Sequence, residues 1–180
     1  KKVGKELTIR MYDVGFGDCF LLSIPQQDEK KINILFDCGT IKYGRTTISL
    51  HDVVSQVIND VKVNSTDTPR IDVIVATHRH KDHISGFDDP LWASVEVGEV
   101  WMPWTEKQED PQAQRIRALH TQMAETLVNR LFTANMSTSV DEEDPPSLEM
   151  ARNALSNEGA MQTLYDGFCN ETHKRYLPEE

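Results

Sequence analysis

Three of the six histidines and one aspartate fall within six positions, in the order His-x-His-x-Asp-His. They are His78, His80, Asp82 and His83. Imidazole and carboxylate are ligands that suit zinc, iron or manganese. His78 and His80, one residue apart in an extended turn, can hold one metal, and Asp82 and His83 can reach a second about 3.5–4 Å away. The pattern predicts a site for two divalent metals, with zinc favoured and manganese or iron as alternatives.

The simplest alternative is a solvated, charged loop after a strand. Arg79 and Lys81 fit that alternative, and we assign them no role. Packing explains poorly why three histidines and an aspartate follow an apolar strand. A structural zinc site is disfavoured because such sites usually rely on Cys, and Cys19, Cys38 and Cys169 all lie far from the cluster in sequence.

The elements around the cluster can be predicted from periodicity. An apolar, β-branched strand over residues 71–76 precedes the histidines, and ligands usually bind at the carboxyl ends of such strands. Apolar positions three and four apart predict an amphipathic helix over residues 49–61, with Ser49 as its N-cap. Further strands are predicted over residues 7–12, 19–24, 32–36 and 95–102, with 19–24 buried on both faces and 32–36 largely so. This order predicts an α/β layered fold.

Beyond Pro103 the sequence becomes helical. Helices are predicted over residues 111–133 and 147–165, joined by an acidic linker, and a further strand is predicted to begin at residue 175. We expect the apolar faces of these helices to pack inside the molecule, with docking of a partner as the alternative. His120 is interpreted as a helix-face residue, and the contexts of His51 and His173 do not favour metal binding.

Composition limits the classes of function. A formal net charge of −10 argues against broad, sequence-independent binding to nucleic acids, although bound cations would still permit a nuclease. Three widely spaced cysteines favour a reducing compartment, hence a cytoplasmic location, with one disulfide plus a free thiol as the alternative. No apolar run is long enough to span a membrane. Because the chain does not begin with Met, we expect that a native N-terminus could be missing.

Three segments resemble one known family. Residues 77–83, Thr-His-Arg-His-Lys-Asp-His, resemble the signature of the metallo-β-lactamase fold superfamily. The opening of residues 11–20, with its Asp-Val-Gly-Phe-Gly-Asp core, resembles the subgroup similar to the hydrolase domain of the DNA-uptake protein ComEC. Residues 34–40, Ile-Leu-Phe-Asp-Cys-Gly-Thr, resemble the strand and turn that follow. The resemblance covers roughly residues 5–104.

The resemblance implies a fold and a set of roles. The fold would be an αββα sandwich of two similar halves, with the first half at residues 1–104 and a helical insertion plus the start of a further strand at 105–180. His78 and His80 would bind one metal, and Asp82, also a catalytic residue, would bind the second with His83. Asp37 would orient the His loop, residues 77–83, without binding the metals itself, although a simple strand-end turn is an equal alternative for it.

The opening turn of the resemblance is given a structural role. Asp13 and Asp18, with Gly15 and Gly17, are expected to fix a turn at the edge of the active-site face. Direct catalysis by either aspartate is not expected.

The family's later ligands, a His, a bridging Asp and a last His, have no convincing match in this chain. We therefore expect a fragment of a longer protein, whose open sheet edge self-associates or pairs with the missing C-terminal half. Our first hypothesis is a metal-dependent hydrolase in which metal-bound hydroxide attacks a phosphodiester or other ester-like bond. The alternative is a non-catalytic binding or assembly module, or an inactive fragment, that retains the motif. A dinucleotide-binding domain is disfavoured because Gly15-Phe16-Gly17 lacks the third glycine and the following helix.

Overall fold

The computed structural model describes residues 6–26, 31–41, 48–62, 64, 66–135, 153, 155 and 157–178. A six-stranded mixed sheet forms the centre, and its strands lie side by side in chain order. The strands are β1 (Thr8–Met11), β2 (Phe20–Pro25), β3 (Lys31–Phe36), β4 (Arg70–Val75), β5 (Glu96–Pro103) and β6 (His173–Leu177). β1 to β3 pair antiparallel, whereas β3 to β6 pair parallel. The predicted α/β class is confirmed.

The described helices are α1 (Leu50–Val61), α2 (Lys81–Ile84), α3 (Pro111–Asn135) and α4 (Glu158–Asp166), with short 3-10 helices at Ser85–Asp88, Pro90–Ser94 and Trp104–Glu106. α1 begins at the predicted cap. The Ser49 side chain accepts a hydrogen bond from the Asp52 N–H, and the Asp52 carboxylate accepts one from the Ser49 N–H. This reciprocal capping satisfies N–H groups that would otherwise lack partners.

Much of the hydrophobic core lies on one face of the sheet. It combines strand residues such as Leu35 and Ile74 with the apolar stripe of α1, and Phe87 and Trp92 from the 3-10 segments are fully buried in it. α4 contributes Leu164 to the same core. Since β6 pairs with β5, the chain after α3 returns to the sheet and its core.

The opposite face of the sheet is apolar but only half-covered. Pairing of β1 to β4 puts Ile9, Leu22, Ile34 and Val73 in one row. Leu22, Ile34 and Val73 are partly exposed, and Ile9 is 67% exposed. The prediction that β2 is buried on both faces is therefore wrong. Side chains alternate between faces with a period of two, and the core covers only one of them.

The helical region departs from prediction on the apolar face of α3. Leu119, Met123 and Leu127 on α3 are exposed, Met123 by 70%, so the prediction that this apolar face packs inside the molecule is wrong for these residues. For the predicted helix over 147–165, residues 147–152, 154 and 156 lie outside the described residues. Asn153 and Leu155 are helical as predicted, and α4 begins at Glu158 after Asn157. Among the described residues, no helix combines the length and apolarity needed to cross a bilayer.

Candidate metal centre

The His cluster lies at the carboxyl end of β4. The Ala76 N–H donates to the Trp101 carbonyl at 2.9 Å, which extends the contact with β5 one residue beyond β4. The chain then turns, and α2 begins immediately after its N-cap residue His80. Because α2 begins so soon after the strand, the side chains of Asp82 and His83 in its first turn lie close to His78.

Three of the four predicted ligands converge. His78, Asp82 and His83 each offer a ligand atom, and these atoms lie within 4.8 Å of one another. The ring centroids of His78 and His83 are 3.9 Å apart, and Asp82 Oδ2 lies 3.4 Å from His83 Nε2. Two imidazoles and a carboxylate form a donor set that fits a divalent cation such as zinc. The structure therefore groups His78 with the α2 residues, whereas the sequence paired it with His80.

His80 is not part of this convergent group. Its ring lies edge-on to that of His78, with centroids 4.6 Å apart. His80 is exposed and has an extended backbone, because it is the residue where the turn ends and α2 begins. Its side chain borders a neighbouring cleft together with His78.

Asp37 is buried directly behind the cluster. Its Oδ1 accepts a hydrogen bond from the Thr77 N–H at 2.8 Å, and its Oδ2 lies 2.8 Å from His83 Nδ1. A carboxylate that accepts from Nδ1–H fixes the imidazole tautomer and leaves Nε2 available for a metal. Asp37 also has a positive φ of 52°. That conformation is uncommon outside glycine, and strained residues of this kind cluster at functional sites.

Thr77 extends the influence of Asp37 to the second imidazole. The Thr77 hydroxyl donates to Asp37 Oδ2 at 2.7 Å and lies 3.1 Å from His78 Nδ1. A hydroxyl has one proton, so this oxygen accepts from His78 when Nδ1 carries the proton. One buried carboxylate thus orients both rings. The sequence interpretation gave Thr77 no role, and the available signal was a hydroxyl residue between the strand and the first His.

The electrostatic environment of His78 favours its neutral form. Burial lowers the pKa of His78 below its ordinary value, and the neighbouring His83 and His80 lower it further. Neutral imidazole is the form that binds a metal, so proton competition at this ring is reduced.

Asp18 reaches the same place from the turn before β2. Its Oδ2 lies 3.5 Å from His83 Nδ1, and Asp18, Asp37 and His83 form a second group of possible ligands. The Asp18 N–H donates to the Asp82 carbonyl at 3.0 Å, and its carbonyl accepts from the Gly39 N–H at 3.1 Å. The sequence predicted only a turn-forming role here, and the second aspartate of Asp-Val-Gly-Phe-Gly-Asp was the signal for more.

Two glycines allow the three loops to pack backbone against backbone. A Cβ on Gly17 would lie 2.1 Å from the Gly39 carbonyl oxygen and 2.6 Å from that of Asp82. A Cβ on Gly39 would lie 2.6 Å from the Lys81 carbonyl oxygen. No side chain fits at such distances, so only glycine permits this close approach.

Arg79 is not the solvated charge that the sequence suggested. Its Nη1 lies 3.7 Å from Oε2 of Glu106, whose side chain is only 6% exposed. Its carbonyl accepts a hydrogen bond from Asn157 Nδ2 at 2.7 Å. Among the described residues, Arg79 Nε and Glu106 Oε2 are buried without hydrogen-bond partners. Arg79 therefore connects the His loop to the end of β5 and to the start of α4.

A cleft of about 270 Å³ adjoins the cluster. The His loop lines it with His78, Arg79 and His80, and the segment from β5 into α3 lines it with Pro103, Thr105, Glu106, Ile116, Arg117, His120 and Thr121. His120 is exposed on α3, as a helix-face residue should be, but it faces this cleft. The arrangement can bind a divalent cation beside a cavity large enough for a small ligand. The chain matches no protein-family model and no curated protein sequence.

Proposed function

We propose that this chain carries the metal-binding face of a metal-dependent hydrolase. The observation that supports it is the convergence of His78, Asp82 and His83 at the end of β4, with Asp37 behind them. Two bound divalent cations, with zinc favoured, would lower the pKa of water from 15.7 to about 7 and polarise the substrate oxygen. Phosphodiesters are the first substrates to test, followed by other ester-like bonds, by analogy with ComEC-like proteins.

Each residue of the cluster has a distinct task in this proposal. His78 and His83 would offer Nε2 to the cations, because their Nδ1 atoms face Thr77 and Asp37. Asp82 would add a carboxylate oxygen, and His80, whose ring lies beside that of His78, would be the fourth ligand. Asp82 would also be the catalytic residue, because its partly exposed carboxylate could accept a hydrogen bond from the attacking water and orient it. Asp37 keeps both rings in position and needs no contact with substrate.

The fold we propose is the first half of a metallo-β-lactamase-like αββα sandwich. Three features support it: the mixed sheet, the His loop after β4, and the meeting of Asp18, Asp37 and His83 from three separate loops. The apolar, half-covered face of the sheet also agrees with it. A second sheet, from a further segment or another chain, would cover that face and complete the sandwich.

The test measures metal content and phosphodiesterase activity on the same samples. Purified protein is loaded with zinc or manganese, its metal is measured by mass spectrometry, and hydrolysis of bis(p-nitrophenyl) phosphate is followed. His78→Ala and Asp82→Ala are expected to lose stoichiometric metal and activity. His51→Ala is the matched control, because that imidazole pairs with Asp89 at 2.7 Å, away from the cluster. Unchanged metal binding and hydrolysis in His78→Ala would sink the assignment.

A second candidate is a non-catalytic binding or assembly module. It is favoured by the exposed apolar residues of α3, which are Leu119, Met123 and Leu127. The solvent-facing side of a helix is normally polar, so an exposed apolar row indicates a binding surface. The same measurements separate the candidates. Absence of bound metal at saturating zinc, with folded protein, would favour the module over the enzyme.

A further inference from the structure

The cleft beside the cluster is walled by two residues of α3 that the proposed chemistry does not use. Arg117 and His120 are three positions apart, so they lie on the same face of the helix. Arg117 Nη1 donates to the Thr105 carbonyl and to the Lys107 carbonyl, the latter at 3.1 Å. These two bonds hold the guanidinium at the edge of the cleft. Both Arg117 and His120 line the same cavity as His78.

The charges in this cleft do not cancel. Among the described residues that line it, Glu106 is the one carboxylate, and it pairs with Arg79. Within the part of the chain that the structure describes, no carboxylate forms an ion pair with Arg117. A positive charge therefore remains in a chain whose formal net charge is −10. Clefts with one sign of charge concentrate ligands of the opposite sign.

We infer that Arg117 and His120 bind an anionic oxygen group of the substrate, a phosphate or a carboxylate, next to the candidate metal ligands. The inference rests on the proposed function, because it makes α3 the specificity-determining wall of that site. The planar guanidinium matches the paired oxygens of either group. His120 adds a ring N–H donor one helical turn away. Arg79, already paired with Glu106, serves as a fixed wall of the cleft.

The test compares charged and neutral substrates on the zinc-loaded protein. The substrates are bis(p-nitrophenyl) phosphate, a p-nitrophenyl ester that carries a carboxylate, and the neutral p-nitrophenyl acetate. Loss of one charge-assisted hydrogen bond predicts that Arg117→Gln raises KM for the preferred anionic substrate about tenfold. We expect unchanged kcat, unchanged zinc content and unchanged KM for the neutral ester. The two anionic substrates decide between phosphate and carboxylate.

Arg115→Gln is the matched control, because Arg115 is exposed on the same helix and lies outside the cleft lining. An equal KM increase in Arg115→Gln, or an equal increase for the neutral ester, would overturn the inference. His120→Gln repeats the test at an exposed position, where replacement cannot disturb the core. It is expected to raise KM for the same anionic substrate without affecting the neutral one.

A binding measurement separates this inference from the proposed function. Inorganic phosphate and acetate are titrated calorimetrically into the metal-free His78→Ala protein, with and without Arg117→Gln. Saturable binding that Arg117→Gln abolishes supports the anion site even if the protein hydrolyses no substrate. Conversely, metal-dependent hydrolysis with unchanged KM in Arg117→Gln supports the function and overturns the anion site.

Discussion

At the level of single residues, the buried Asp37 carboxylate contacts both Thr77 and His83. One buried carboxylate accepts from the Thr77 backbone and hydroxyl and faces the Nδ1 of His83. Alanine would remove the carboxylate and would also strain the backbone, because Asp37 has a positive φ of 52° that alanine adopts less readily than aspartate. Asparagine tolerates that conformation, so Asp37→Asn isolates the loss of the charge and of one acceptor oxygen.

We expect Asp37→Asn to weaken zinc binding by about 10- to 100-fold, the usual effect of losing an outer partner of a ligating histidine. The reason is that His83 loses the carboxylate that fixes its tautomer. The measurement is a competition titration with a chromophoric chelator, with thermal unfolding recorded in parallel. Asp13→Asn is the control, because Asp13 is exposed and, among the described residues, accepts a hydrogen bond from the Gly15 N–H at 3.2 Å. Equal zinc affinity in Asp37→Asn and the native chain would contradict the positioning role.

At the level of elements, the site is built from three loops rather than from one. The turn before β2, the turn after β3 and the His loop after β4 bond through their backbones, as when the Cys38 N–H donates to the His83 carbonyl at 2.7 Å. Gly17 and Gly39 make this approach possible. The local geometry of the histidines therefore depends on distant turns, as shown by Asp37, which lies 46 residues before His83.

We expect Gly39→Ala to lower the free energy of unfolding by about 1–3 kcal/mol or more, because its Cβ would overlap backbone atoms of the His loop that cannot move aside. Urea unfolding followed by circular dichroism measures this loss. Phe16→Ala is the control in the facing turn. Its side chain is exposed, so we expect a change within about 0.5 kcal/mol. Equal stability of Gly39→Ala and the native chain would show that the loops are not packed this way.

At the level of the whole molecule, one sheet face is apolar and only half-covered, and strand β1 lies at the edge of the sheet. Ile9 and Met11 are each 67% exposed on that strand. An exposed apolar edge strand offers unpaired backbone groups to another chain. The structure therefore gives a physical basis for the self-association that the sequence predicts.

We expect this chain to self-associate in a concentration-dependent manner in light scattering coupled to size-exclusion chromatography. The double replacement Ile9→Lys and Met11→Lys should shift it toward the monomer, because these lysines would place charge on the apolar sheet face that a partner has to cover. Thr8→Lys is the matched control on the other face of β1, and it should leave association unchanged. A native chain that stays monomeric at high concentration would count against this surface.

The sequence by itself determined the local elements of this protein. The N-cap at Ser49, the amphipathic stripe of α1 and the apolar run before His78 depend on neighbours a few residues apart, so periodicity and residue type were sufficient to predict them. The spacing His-x-His-x-Asp-His likewise identified the candidate metal ligands from the sequence. The α/β class followed from the order of these elements.

Only the tertiary structure decided which side chains meet. The grouping of His78 with Asp82 and His83 depends on the immediate start of α2, and the approach of Asp18 depends on glycine contacts between distant loops. The Arg79–Glu106 pair and the exposure of Leu119 were invisible for the same reason. Contacts between residues far apart in sequence are set by the packing of whole elements, and no local period records that packing.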